Sequence, residues 1–171
     1  MEIITYVRSG AISHRDSLGN AGRTEAGDVQ VMSAGTGIQH SEFNLEDQET
    51  TLFQIWILPD SRGHAPSWGA RPFPKDSREG KFVVLASGLA GDGDALPIHA
   101  QARVAGAFVK AGETVRYETS ATRLLYLVPA TGRVGIGAVE AAARDGVAIT
   151  GEAGVEITAL EDSELVLVDT A

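Results

Sequence analysis

Apolar residues in this chain come as short runs and alternations, not as helical stripes. Segments 2–7, 28–32, 51–58, 81–86, 104–109, 124–128 and 165–169 stand out between turn signals. They are too short for helices and rich in Val, Ile and aromatic residues, so each predicts a strand. Clusters such as Ser17-Leu18-Gly19-Asn20 and Ala90-Gly91-Asp92-Gly93-Asp94 fit hairpin ends, where glycine and asparagine accept positive φ. Only segment 138–144 is helical by composition. At seven residues, with Gly137 and Gly146 beside it, it predicts a loop or a single turn.

The stretch 59–81 holds four of the six prolines and reads as an irregular connection between two β units. The expected organisation is a first unit over 1–60, a connection over 61–80 and a second unit over 81–171. An internal repeat supports it. Met1-Glu2-Ile3-Ile4-Thr5-Tyr6-Val7 aligns with Thr122-Arg123-Leu124-Leu125-Tyr126-Leu127-Val128, and Gly27-Asp28-Val29-Gln30-Val31 with Asp145-Gly146-Val147-Ala148-Ile149. Gly37-Ile38 then matches Gly154-Val155, and segment 51–57 matches 163–169. The second copy has strand-like segments at 103–109 and 114–119 before its Leu124 strand, whereas the first copy begins at that strand. The first module is therefore expected to lack its opening strands. Unpaired strand edges left by that loss predict self-association or a stability lower than that of a longer chain.

The absence of cysteine removes disulfides, thiolate metal ligands and cysteine nucleophiles, and fits a cytoplasmic location. The N-terminus has no basic-then-apolar leader pattern, and no apolar stretch reaches bilayer length. Fourteen Lys and Arg against 23 Asp and Glu give a net charge of −9, which disfavours nucleic acid and anionic membranes as direct partners. No Gly-x-Ser-x-Gly or phosphate-loop pattern is present.

Candidate chemistry narrows to histidine with carboxylate. His14, His64 and His99 stand alone and read as surface or hydrogen-bonded residues. His40 lies two residues before Glu42, downstream of the turn Ser33-Ala34-Gly35-Thr36-Gly37. On a strand that spacing points both side chains to one face, and inside a small barrel to the lumen. Imidazole with carboxylate suits a divalent transition metal, although a catalytic site needs at least one further protein ligand. The bland alternative is a buried histidine beside a solvated glutamate. In the repeat, the counterparts of His40 and Glu42 fall at about Ile157 and Ala159, so one copy is polar where the other is apolar.

The blocks MEIITYVRSGAISHRDSLGN, AGDVQVMSAGTGIQHSEFN and LPIHAQARV resemble the pirin-like family. The resemblance implies an all-β fold of two cupin (double-stranded β-helix, jelly-roll) barrels in tandem, with the metal in the first. His40 and Glu42 fall on the family's third and fourth metal ligands. The other two form a His-x-His pair just before the Glu2–Val7 strand, and nothing in this sequence supplies it. His14 lies in a turn that the family shares without using it as a ligand.

The implied activity is that of a metal-dependent quercetin 2,3-dioxygenase. Glu42 would serve as ligand and base, a flavonol as substrate, and a mononuclear metal as cofactor. Iron is first in order, with manganese, nickel, copper or zinc as alternatives. Tyr6, Ile4, Met32 and Phe43 are candidates to line the cavity. With half a ligand set, the chain is expected to hold metal weakly or not at all and to be inactive or weakly active. The competing reading is a non-catalytic, metal-responsive protein-binding module.

Overall fold

Alternating inward and outward side chains carry almost the whole chain into strands. The computed structural model describes residues 1–171, apart from the side chain of Lys75. The strands are β1 (Glu2–Ser9), β2 (Ala11–Asp16), β3 (Ala21–Glu25), β4 (Val29–Ser33), β5 (His40–Phe43), β6 (Thr51–Ile57), β7 (Ser67–Arg71), β8 (Val83–Ser87) and β9 (Leu96–Pro97). They continue as β10 (Ala102–Val109), β11 (Thr114–Glu118), β12 (Leu124–Thr131), β13 (Arg133–Ile136), β14 (Val139–Ala142), β15 (Val147–Thr150), β16 (Gly154–Ala159) and β17 (Ser163–Thr170). One 3-10 turn at Lys75–Arg78 is the sole helical element among the described residues. No helix is long and apolar enough to cross a membrane.

Contacts divide the chain into a unit of Met1–Pro74 with Ala86–Ala100 and a unit of Lys75–Leu85 with Gln101–Ala171. In the first, the sheet β6-β1-β4-β7 faces the sheet β3-β2-β5. The stretch 59–81 is not all connection, because β7 pairs along the whole of β4. In the second unit, β10, β17, β12 and β15 pair in that order opposite β11-β16-β13-β14. Within segment 138–144, Val139–Ala142 is a strand with turn residues on either side, not a loop or helical turn throughout. Gly137, at φ 57°, closes a hairpin, and Ala141 is buried opposite Val134. Its alanines gave it a helical composition, but burial between strands decides its conformation.

The repeat is now visible as topology. The order β6-β1-β4 matches β17-β12-β15, and β3-β2-β5 matches β14-β13-β16. Each first strand shifts register against its partner at the same place, between Val7 and Ser9 and between Pro129 and Thr131. A left-handed glycine follows each shift, Gly10 at φ 71° and Gly132 at φ 78°. A Cβ on either would strike a hydroxyl side chain, that of Thr50 or Ser163. These landmarks fix equivalent positions to the residue.

Thr5 lies opposite Gln30 and Gln54, and its equivalent Leu127 lies opposite Val147 and Leu167. His14 becomes Ile136, and His40 and Glu42 become Val155 and Ile157. The sequence alignment that put the latter pair at Ile157 and Ala159 was two residues out of step, because the β4–β5 connection is longer than β15–β16. The contrast of polar with apolar survives the correction. In the second unit these positions join a core of Leu125, Leu127, Val155, Ile157, Leu165 and Leu167, with Ile136, Val147 and Ile149 packed against it.

A candidate metal centre in the first unit

β5 is paired along β2 so that Glu42 faces His14 and His40 faces Asp16. Direct cross-strand partners share a face, and alternate residues along a strand do too. His14, Asp16, His40 and Glu42 therefore lie on one face of the β3-β2-β5 sheet, the face turned to β6-β1-β4-β7. This is where the sequence placed His40 and Glu42, and the structure adds His14 and Asp16 to them.

Glu42 is held from the opposite sheet. Gln30 Nε2 donates to one carboxylate oxygen, and Gln54 Nε2 donates to the other at 3.0 Å. Each glutamine is itself oriented. Thr24 Oγ1 donates to Gln30 Oε1 at 3.0 Å, and Trp56 Nε1 donates to Gln54 Oε1 at 2.9 Å. An indole N–H can only donate, so it fixes the carbonyl end of Gln54 and turns the amide N–H toward Glu42. A carboxylate accepting two N–H bonds keeps further lone pairs on both oxygens.

His40 is exposed, and its Nδ1 lies 2.8 Å from Met32 Sδ. A thioether sulfur has no hydrogen to give, so this contact is a hydrogen bond only with the proton on Nδ1, the tautomer that leaves the Nε2 lone pair open. His14 is only 1% exposed and stacks on Trp68 with ring centroids 4.8 Å apart and planes 7° apart. Its Nε2 meets Asp16 Oδ2 at 3.1 Å, and its ring centre is 5.7 Å from that of His40. The expected turn at His14 is thus a strand. Ile12 and His14 both point inward, and because one buried member is polar, the apolar pattern of Ala11-Ile12-Ser13-His14 does not reveal the alternation.

Asp16 anchors the turn after β2. Burial acts to raise its carboxyl pKa, but hydrogen bonds from the Asn20 side chain, from His14 and from the backbone N–H groups of Asn20 and Leu18 outweigh it. They hold the group at about 2 instead of 3.8. A depressed carboxyl contributes stability above its ordinary value and loses it as pH falls through the folded value. Asp16→Ala is expected to cost about 2 kcal/mol at pH 7. In urea titrations of both proteins that difference should shrink from pH 4 toward pH 2. A difference that is constant across this range would contradict the ionised anchor.

The donor set, an imidazole nitrogen and a carboxylate on a shared face, is of the type that divalent transition metals take. Buried polar atoms without a hydrogen-bond partner cluster on the facing strands, namely Thr5 Oγ1, His14 Nδ1 and Trp68 Nε1. The space between the two sheets is therefore lined by polar groups on both sides. Among the described residues no group of three His, Asp or Glu is close enough to hold a metal. His40 and Glu42 fit as part of a ligand set.

The cavity lining differs from expectation. Met32 lies against His40, but Ile4 and Tyr6 are on the opposite face of β1, opposite Val31 and Val29. Phe43 points away from Glu42. His64 and His99 stack on each other elsewhere in this unit, centroids 3.9 Å apart, near Ser61 and Glu2.

Comparison with known proteins agrees with the fold. A family profile described as Pirin matches residues 1–57, and one described as Quercetinase C-terminal cupin domain matches residues 84–170. A pirin-like protein of Caulobacter vibrioides is 64% identical over 171 residues, all of this chain and 74% of that protein. The quercetin 2,3-dioxygenase of Escherichia coli K12 is 39% identical over 170 residues, 99% of this chain and 72% of that protein. The bacterial pirin YhhW of Escherichia coli, solved in complex with nickel(II), superimposes with a TM-score of 0.89 at 37% identity, over 99% of this chain and 72% of that one. The fold is of the cupin type, and the chain belongs to the pirin family.

Proposed function

We propose that this chain carries part of the metal site of a quercetin 2,3-dioxygenase-type oxygenase, with His40 and Glu42 as two of the metal's protein ligands. The carrying observation is the exchange at equivalent ladder positions. Thr5, Gln30, Gln54, His14, His40 and Glu42 stand in one unit where Leu127, Val147, Leu167, Ile136, Val155 and Ile157 stand in the other. A fold that fills this space with aliphatic side chains in one copy keeps Thr5, Gln30 and His14 buried in the other, with Glu42 half-buried beside them, only against a desolvation cost. A polar occupant offsets that cost.

When bound, a divalent metal supplies Lewis-acid polarisation of a flavonol's adjacent oxygens. The protein's own part is positional. His40 presents Nε2, since Nδ1 is engaged with Met32. Glu42, oriented by Gln30 and Gln54, would serve as a metal ligand and could accept the proton of the flavonol hydroxyl. Ile3 and Met32, adjacent across β1 and β4, supply buried apolar surface beside His40. Two protein ligands hold a metal weakly, so activity of the 171-residue chain is expected to be low and to require excess metal.

The test is oxygen uptake with quercetin in the presence of excess iron(II) or nickel(II). Dioxygenase chemistry predicts one dioxygen consumed per flavonol lost, and no uptake in His40→Ala or Glu42→Ala. Metal binding with no flavonol consumption in the parent would instead support the metal-responsive binding module.

A further inference from the structure

We propose that Trp56 is the platform on which the planar ring of a hydroxylated aromatic substrate lies, and that its indole N–H locks Gln54 and thereby Glu42. The proposal rests on the flavonol reading above. Trp56 is 63% exposed, yet it is not free to turn, because Nε1 is bonded to Gln54 Oε1 at 2.9 Å. Residues 54 and 56 alternate to the same face of β6, and Trp56 sits opposite Ile3, which is opposite Met32. The ring therefore stands on the cavity side of the sheet, two hydrogen bonds from the carboxylate.

A large aromatic side chain held by its own N–H loses little rotamer freedom on binding, and its exposed surface suits stacking against another planar ring. The equivalent position in the second unit is Asp169, which is fully buried and engaged by Tyr117, Thr119 and Arg123. Asp169 lies on a strand flanked by β10, whereas β6 is an edge strand among the described residues, so the two positions differ in residue type and their exposures are not equivalent. Stacking on Trp56 and orientation of Glu42 meet in one side chain, so substrate is bound beside a carboxylate already aimed.

Quercetin titrated into the metal-free full chain tests this. The chain has two tryptophans, so Trp68→Phe leaves Trp56 as the only emitter, and saturable quenching of its fluorescence is expected. By calorimetry Trp56→Ala should weaken quercetin binding about tenfold, whereas Trp56→Phe keeps it within about threefold. In a separate nickel(II) titration, Trp56→Phe and Gln54→Leu should each lower affinity about tenfold, because both release the lock on Glu42. Quercetin affinity indifferent to Trp56→Ala would overturn the platform alone. Nickel(II) affinity unchanged in both locking variants would overturn the lock. Absence of any quercetin binding by the parent would overturn the substrate class and the platform together.

Discussion

Alanine at either His40 or Glu42 is expected to lower metal affinity at least about 100-fold, more than loss of a supporting residue costs. The two variants should part company in stability. His40 is exposed and makes one weak contact, to Met32 Sδ, so its removal should leave the denaturation midpoint almost unchanged. Glu42 accepts from both Gln30 and Gln54, and Glu42→Ala strands the amide N–H of buried Gln30, while exposed Gln54 turns to water. That should cost about 1–3 kcal/mol. Metal titration by calorimetry, with urea unfolding on the same samples, reads both quantities. Equal metal affinity in parent and variants would remove His40 and Glu42 from the ligand set.

Glutamate at Ile157 is expected to be among the most damaging substitutions in the chain, at 4 kcal/mol or more. Ile157 is fully buried in a core that is aliphatic apart from Tyr117, whose hydroxyl is already donated to Asp169. A carboxyl placed there must either remain charged without a partner or take up a proton well above its usual pKa, and either route destabilises the fold. The same exchange reversed, Glu42→Ile, should cost no more than about 2 kcal/mol, the loss of two hydrogen bonds partly offset by apolar burial. Urea unfolding of both variants measures the asymmetry. Similar small losses would mean that the two ladder positions are not equivalent in environment.

The seven apolar segments of the sequence all fall on strands, because short β-branched and aromatic runs have few other ways to bury themselves. Strands with polar or small inward residues were harder to see. β2 turns Ile12 and His14 inward, β3 has only Thr24 buried, and β14 is written almost entirely in alanine and glutamate. Such strands are defined by their partners, and periodicity cannot report a partner.

The site was half legible. The two-residue spacing of His40 and Glu42 follows from strand geometry, so the shared face could be predicted. The residues that hold Glu42 come from β4 and β6, and those orienting them from β3 and β6. Nothing in the local sequence of Gln30, Gln54 or Thr24 marks them. Register across sheets brings them together, and register becomes known only when the strands are paired.

The account is tested most directly by manganese(II) added to isotope-labelled protein and followed by backbone amide resonances, since the paramagnetic ion broadens signals near its site. Signals of residues 40–43, together with those of His14, Gln30, Met32 and Gln54, are predicted to broaden first. Those of Leu125, Leu127, Val155 and Ile157 should stay sharp. Broadening centred on the His64–His99 pair or within the second unit, or no selective broadening at excess metal, would contradict the assignment of the metal to His40 and Glu42.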